Sequence, residues 1–172
     1  EIFADDMEDG SASWTHYTPS APWTDQWHLE TYRNHTYAGQ TSWKCGGEGS
    51  LTYGNQNYAL LETAPFELPA GARLEFWHWM DAEASAAYPD SCYDGGLLEI
   101  STDGGASWTQ LFSQRGYTHL IRDGSVPGPF PSGTPVWSGA FDWTEEWVDL
   151  SGFEGPAQVR FAFGSDGADV RE

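Results

Sequence analysis

Short runs of alternating apolar and polar residues recur along this chain. In the run 74–81 the even positions are mostly apolar and project to one side, whereas the odd positions, including Trp77 and Trp79, project to the other. A period of two residues is typical of a β-strand with one face in a core. Similar runs predict further strands at 57–62, 147–150 and 158–163.

The clearest local element is a β-hairpin at 93–108. Leu98 and Ile100 alternate with polar residues, and an Asp-Gly-Gly sequence at 103–105 supplies the positive φ angles of a tight turn. Trp108 then begins the return strand. This hairpin predicts antiparallel pairing near the middle of the chain.

The turn-forming residues between these runs favour an all-β fold, and no part of the pattern requires a helix. The 172 residues include 20 glycines and 10 prolines, and 16% are aromatic, which suits short strands and many turns. The proline-rich stretch 124–135 is predicted to be an ordered loop, because strand patterning resumes after it. We expect an antiparallel β-sandwich, in one domain spanning 1–172.

A series of short motifs follows in order along the chain. They are Phe-Ala-Asp-Asp-Met-Glu-Asp-Gly at 3–10, Ser-Trp-Lys-Cys-Gly at 42–46, Leu-Leu-Glu-Thr-Ala-Pro at 60–65, Leu-Glu-Phe-Trp-His-Trp at 74–79, Glu83, the hairpin at 93–108, Gly-Ala-Phe at 139–141, Trp-Val-Asp-Leu-Ser at 147–151 and Val-Arg-Phe-Ala-Phe-Gly-Ser-Asp at 159–166. Together they resemble the MAM-like jelly-roll module of secreted bacterial proteins. Similar modules occur in immune-inhibitor-A type metallopeptidases and in the cleaved-adhesin modules of gingipains.

The resemblance carries several expectations. It implies a jelly roll in a protein that is secreted or held at the cell surface. In such modules a further strand follows the region of Phe163, so the sandwich is expected to lack its last strand within this chain, as a fragment of a larger secreted protein. Later residues of that protein, or a strand donated by another chain, would fill the gap. The zinc peptidase signature His-Glu-x-x-His is absent from the sequence.

The net charge of −19 narrows the range of partners. It arises from 26 acidic and 7 basic residues, and such a charge repels nucleic acid and anionic membranes. No apolar run approaches the roughly 20 residues of a membrane span, so membrane insertion is not expected. The acidity fits either plain solubility or cation binding.

Clustered carboxylates make calcium the expected cofactor. Acidic residues are concentrated at 5–9, and calcium takes about six to eight oxygen ligands, some of which glycine-rich loops can supply. We predict a structural calcium ion with Asp6, Glu8, Asp94 and Asp166 as candidate ligands; the resemblance singles out Glu8 among its neighbours. The segment lacks the EF-hand pattern, and a solvated acidic edge is the alternative.

The two cysteines, Cys45 and Cys92, predict one disulfide. An even count of cysteines in a secreted chain permits a bridge. Cys45 lies in a glycine-rich turn, and Cys92 lies just before the hairpin at 93–108. Two free buried thiols are the alternative.

Trp77 and Trp79 are the candidate ligand-binding residues. They share one strand face, about 6–7 Å apart, which approaches the spacing of adjacent sugar rings. A glycan platform is one interpretation; the other is that a long loop within 109–140 covers both rings.

No sequence motif indicates catalysis, so we expect a protein that is not an enzyme. There is no Gly-x-Ser-x-Gly motif, no cluster of His or Cys, and no singled-out pair of carboxylates. The favoured function is a calcium-stabilised extracellular adhesion module that binds a glycan or a cell-surface protein. The alternative is a structural or self-assembling subunit of a larger secreted protease or surface filament, with neighbouring domains as partners. A glycoside hydrolase is a more remote possibility.

Overall fold

A computed structural model describes residues 3–168, which form an all-β sandwich as predicted. Within that range there are thirteen strands and no helix. The strands are β1 Trp14–Tyr17, β2 Trp27–Glu30, β3 Ser42–Cys45, β4 Tyr58–Thr63, β5 Phe66–Leu68, β6 Arg73–Ala82, β7 Ser91–Cys92, β8 Gly95–Ser101, β9 Thr109–Gln110, β10 His119–Ile121, β11 Pro135–Val136, β12 Gly139–Asp149 and β13 Gly155–Gly164. None of the described residues belongs to a helix long and apolar enough to cross a membrane.

The larger layer is a six-stranded sheet with β13 at its centre. Its order is β1-β4-β13-β8-β9, and β5 also pairs with β13. Every pairing is antiparallel, and Phe161 of β13 lies opposite Leu61 on one side and Leu98 on the other. Apolar residues alternate along these strands, so one face of the sheet is available to build a core.

The second layer is the long ribbon formed by β6 and β12. The two strands pair antiparallel, with one irregularity between Phe141 and Thr144. The Phe76 ring of β6 points into the sandwich, 5.1 Å from the Phe161 ring and 5.7 Å from the Trp137 ring. Facing side chains of the two layers therefore form a common core, whose buried members include Leu98, Ile100, Leu111, Val148, Leu150 and Val159.

Smaller ribbons and loops close the ends of the sandwich. β11, β10 and β7 form a three-stranded sheet, and β2 pairs with β3. The proline-rich stretch 124–135 packs onto the main sheet, because the Phe130 side chain is buried and its ring lies 5.7 Å from that of Tyr58. This loop covers the end of β13, which is where the candidate site lies.

The predicted disulfide is wrong: both cysteines are free. Cys45 lies on β3 opposite Trp27 and packs beside the cluster that contains Tyr53. Cys92 lies on β7 in a different apolar cluster with Leu60. Even number and flanking glycines give no distance between two thiols, whereas a bridge needs closely spaced, facing side chains. Burial raises the pKa of Cys92 to about 12, so its thiol stays protonated and behaves as a small apolar group.

After Phe163 the chain is described only as far as residue 168. β13 ends at Gly164, and residues 165–168 form bends and irregular backbone. Residues 169–172 lie outside the described part. The expectation of a missing last strand stays a prediction.

Candidate functional site

Three carboxylates converge at one end of the sandwich. Glu83 directly follows β6, Asp94 directly precedes β8, and Asp166 lies two residues after β13. Gly95 at the start of β8 pairs with Gly164 at the end of β13, which brings Asp94 and Asp166 to the same edge. One oxygen from each of the three side chains lies within 4.8 Å of the others. We call these residues the carboxylate triad; among residues 3–168 it is the one group of at least three potential metal-ligating side chains this closely spaced.

Asp94 is the most deeply buried member of the triad, with no exposed surface. Its Oδ2 accepts a hydrogen bond from the Tyr53 hydroxyl at 2.8 Å, and its Oδ1 accepts one from the backbone N–H of Asp166 at 2.8 Å. Burial, and to a smaller extent the neighbouring charges of Asp166 and Glu83, raises the pKa of Asp94 to about 7. The two hydrogen bonds favour the ionised form of Asp94, but they do not fully replace the hydration that the carboxylate loses on burial.

Asp166 is 3% exposed and is held by the backbone around it. Its Oδ1 accepts from the N–H of Ala168 at 2.7 Å, and its carbonyl accepts from the N–H of Gln56 at 2.7 Å. The other oxygen, Oδ2, lies against Gly124 so closely that a Cβ on that glycine would be 2.3 Å away. Only glycine leaves room for the carboxylate at this point.

Two hydroxyl groups tie the ends of β6 and β8 together. The Tyr53 hydroxyl donates to Asp94 and accepts from the N–H of Glu83 at 3.0 Å. The Ser138 hydroxyl donates to the Asp94 carbonyl at 2.6 Å and lies 3.4 Å from the Glu83 carbonyl. Both positioning residues are distant in sequence from the acids, and no sequence motif marked them.

The chemistry of the triad suits a hard divalent cation. All donors are oxygens, and carboxylates in a region of low water content repel one another unless they bind protons or a positive charge. Calcium and magnesium prefer such ligands, whereas structural zinc sites are built mainly from Cys and His, and the triad contains neither. The three carboxylates would occupy part of the coordination shell, with water or carbonyl oxygens completing it.

The structure brings together two of the four predicted metal ligands, Asp94 and Asp166. Asp6 and Glu8 lie elsewhere. Glu8 Oε1 accepts from the N–H groups of Gln40 and Thr41, both at 2.8 Å, and the bonds from Thr41 and then Gln40 lower the pKa of Glu8. Asp6 Oδ1 caps the N–H of Glu8 at 3.2 Å. Both acids therefore serve the backbone of the N-terminal segment and the loop before β3.

Sequence reasoning missed Glu83 as a ligand candidate. Two signals marked it: it stands among the motifs that carry the resemblance, and it lies two residues after the strongest predicted strand, at 74–81. Strand ends gather at the edge of a sandwich, but which acids meet there depends on strand order and register. Strand order and register could not be predicted from the alternation of apolar and polar residues.

Trp77 and Trp79 lie on the outer face of the β6–β12 ribbon, as predicted, and the side chains that contact their rings come from the loop between β2 and β3. The His35 ring stacks on Trp77, with centroids 3.7 Å apart and planes 14° apart. The Arg33 guanidinium lies 3.7 Å from the centre of the Trp79 ring. Trp77 keeps 43% of its surface exposed and Tyr32 keeps 54%. We call these five residues the aromatic surface.

No protein-family model matches this chain, and no curated protein and no solved structure matches it either. The resemblance to MAM-like modules therefore rests on the sequence motifs alone. Function has to be inferred from the residues of the carboxylate triad and the aromatic surface.

Proposed function

We propose that this protein is a non-catalytic, calcium-stabilised extracellular binding module. The observation that carries the proposal is the carboxylate triad, in which Asp94 is fully buried and Asp166 nearly so. Several carboxylates at one desolvated point destabilise a fold unless a cation or protons neutralise them. A calcium ion bound there would link the ends of β6, β8 and β13 and stabilise the folded state.

Calcium is preferred over magnesium for this site on geometric grounds. Calcium accepts irregular sets of oxygen ligands at about 2.3–2.6 Å, whereas magnesium requires a compact octahedron and releases its water reluctantly. The triad supplies ligands from three different strand ends; the hydrogen bonds of Tyr53 and Ser138 hold Asp94, and the N–H of Ala168 holds Asp166. This set of ligands suits calcium, the more adaptable of the two ions.

Thermal unfolding of the whole chain tests the calcium proposal. We expect the melting temperature to be higher in millimolar calcium than in chelator, because the ion binds only the folded state. Once the site is saturated, the melting temperature should continue to rise with the logarithm of the free calcium concentration. Magnesium at the same concentration is the control and should give a smaller shift. Identical melting curves in chelator and calcium would contradict the proposal.

The aromatic surface is the proposed ligand site, and a glycan is the proposed ligand. Sugars are bound by aromatic rings that contact their apolar faces and by polar groups that bond their hydroxyls. Trp77 offers an exposed ring, and Arg33 offers a guanidinium that makes no hydrogen bond or ion pair with another described residue. The stack of His35 on Trp77 means that a sugar would either extend that stack or displace the imidazole.

Affinity electrophoresis in gels containing soluble polysaccharides tests the ligand site. We expect Trp77→Ala to be retarded less than wild type, with an apparent affinity at least about tenfold weaker. The reason is that a stacked aromatic ring contributes more than about 1.4 kcal/mol to the free energy of binding. Trp108→Ala is the matched control, because Trp108 is a partly exposed tryptophan that contacts Arg160 on a different strand. If wild type and Trp77→Ala migrate alike in every polysaccharide, the glycan proposal fails, whereas the calcium proposal is unaffected.

A further inference from the structure

The strand β6 has one hydrogen-bonding edge that receives no partner from residues 3–168. The N–H of Leu150 donates to the carbonyl of Ala72 at 3.0 Å, which makes these two residues a hydrogen-bonded pair. Such pairs alternate along an antiparallel ladder, so Leu74 and Phe76 also exchange bonds with β12. The backbone groups at the odd positions from 73 to 81 must then point away from β12.

The opposite edge of the ribbon confirms this alternation. There the carbonyl of Trp147, which lies opposite Glu75, accepts from the N–H of Gln114 at 2.9 Å. The carbonyl of Glu145 accepts from Arg115 Nε at 3.0 Å. The outer edge of β12 is therefore partly paired with residues 114–115.

No comparable partner within the described part of the chain reaches β6. Among residues 3–168, no hydrogen bond joins another group to the outward-pointing backbone at positions 73, 75, 77, 79 and 81. Arg33 and His35 contact the rings of Trp79 and Trp77 but make no hydrogen bond to the β6 backbone. An unpaired edge of this length is a template for another strand.

We propose that β6 pairs with β6 of a second copy of this chain, antiparallel about a two-fold axis at Trp77. This register places Trp77 opposite its copy, Glu75 opposite Trp79, and Arg73 opposite Asp81. Each of these pairs exchanges two backbone hydrogen bonds. The charge match between Arg73 and Asp81 occurs twice by symmetry, and opposite charges directly across a ladder are stabilising.

Other symmetric registers fit less well. An axis at Glu75 places that carboxylate opposite its own copy and leaves positions 79 and 81 beyond the paired region. An axis at Trp79 places Asp81 opposite Trp77 and leaves Arg73 without a strand partner. Only the axis at Trp77 gives a partner to every outward-pointing backbone position from 73 to 81. The same axis places the Leu74 side chain opposite that of Met80 on the inner face of the ribbon.

The resulting dimer has a continuous four-stranded layer, β12-β6-β6-β12, made from two ribbons. Its interface is isologous, so it closes at two subunits and does not propagate. The proposal is independent of the calcium and glycan proposals, because it rests on the backbone edge of β6 and not on the carboxylate triad or on ring stacking.

Sedimentation velocity over a wide range of protein concentration, in calcium, tests the dimer. We expect wild type to convert from monomer to dimer with rising concentration. Asp81→Arg sets arginine opposite arginine and should raise the dimer dissociation constant at least about tenfold, while Arg73→Asp combined with Asp81→Arg should restore it. Glu67→Arg, an exposed charge reversal on β5, is the matched control and should leave the constant unchanged.

A backbone variant separates edge pairing from side-chain effects. Trp77→Pro removes an N–H that points away from β12 and is compatible with an edge strand, whereas Trp77→Ala keeps that N–H. We expect the proline variant to dimerise at least about tenfold more weakly than the alanine variant, with circular dichroism checking that both are folded. A wild-type protein that stays monomeric throughout, or a dimer insensitive to both Asp81→Arg and Trp77→Pro, would overturn the proposal.

Discussion

The substitution Asp94→Asn is expected to stabilise the protein in chelator above pH 7 and to abolish its stabilisation by calcium. Without a cation, the ionised Asp94 carboxylate is fully buried next to two other acids, so its removal relieves an unfavourable charge. With calcium present, the same carboxylate becomes a ligand, and the amide is a poorer one. The two effects have opposite signs, which a general loss of packing would not produce.

The pH dependence of stability gives this prediction a quantitative form. The pKa of Asp94 is raised from 3.8 in the unfolded chain to about 7 in the folded protein. Below the unfolded-state pKa the carboxyl is protonated in both states, and its contribution to the free energy of unfolding is fully present. That contribution is lost as the pH rises through the folded-state pKa, because the folded state binds the proton more tightly than the unfolded chain does. A rise of this size corresponds to a free energy on the order of 4 kcal/mol. In chelator, wild type should therefore lose stability between about pH 4 and pH 7, and Asp94→Asn should lose less.

Urea unfolding at a series of pH values, in chelator and in calcium, measures both effects. Calcium should reduce the wild-type loss, because the metal competes with the proton for the same oxygens. Asp90→Asn is the matched control, since Asp90 is exposed and lies only four residues away in sequence. If Asp94→Asn keeps the full calcium response, the carboxylate triad is not the cation site.

The substitution Gly124→Ala is expected to remove most of the calcium response without changing any charge. The added Cβ would lie 2.3 Å from Asp166 Oδ2, well inside contact distance, so the carboxylate must move away from the triad. At calcium a hundredfold above its dissociation constant, wild type would gain about 2.7 kcal/mol from binding, and the variant would lose most of that gain. The backbone at this glycine has no positive φ, so strain from the substitution is confined to the contact.

Isothermal calorimetry with calcium, together with melting in chelator, measures this effect. Gly152→Ala is the matched control, because a Cβ there meets nothing within 4 Å and that glycine also has an ordinary φ. We expect the control to bind calcium as wild type does. Unchanged calcium affinity in Gly124→Ala would show that Asp166 does not ligate through the oxygen that faces this loop.

The period-two alternation was sufficient to predict the all-β class and the positions of β4, β6 and β13, but it marked only the end of β12, the longest described strand. The run 74–81 lies within β6, and the run 158–163 forms the C-terminal part of β13. It also placed Trp77 and Trp79 on one face, because side-chain direction depends only on parity within a strand. These features are local, and local patterning is what a single sequence displays most directly.

Features that depend on how distant strands come together were not predictable in the same way. Asp94 and Asp166 meet because β8 and β13 pair in one particular register, and Glu83 joins them because β6 ends above that edge. The Cys45–Cys92 bridge was wrong for the same reason, since spacing along the chain carries no distance between layers. The cover on the tryptophans likewise comes from Arg33 and His35, in a loop whose path no alternation specified.

The central place of β13 has a consequence for how the molecule assembles during synthesis. β13 joins β4 to β8, and without it the main sheet is two separate pairs, β1 with β4 and β8 with β9, and the single strand β5. Contacts this distant in sequence delay folding, because a long loop must close before they form. A nascent chain would therefore expose both half-sheets until β13 emerged from the ribosome. The main sheet is therefore completed only after nearly all of the described residues have been synthesised.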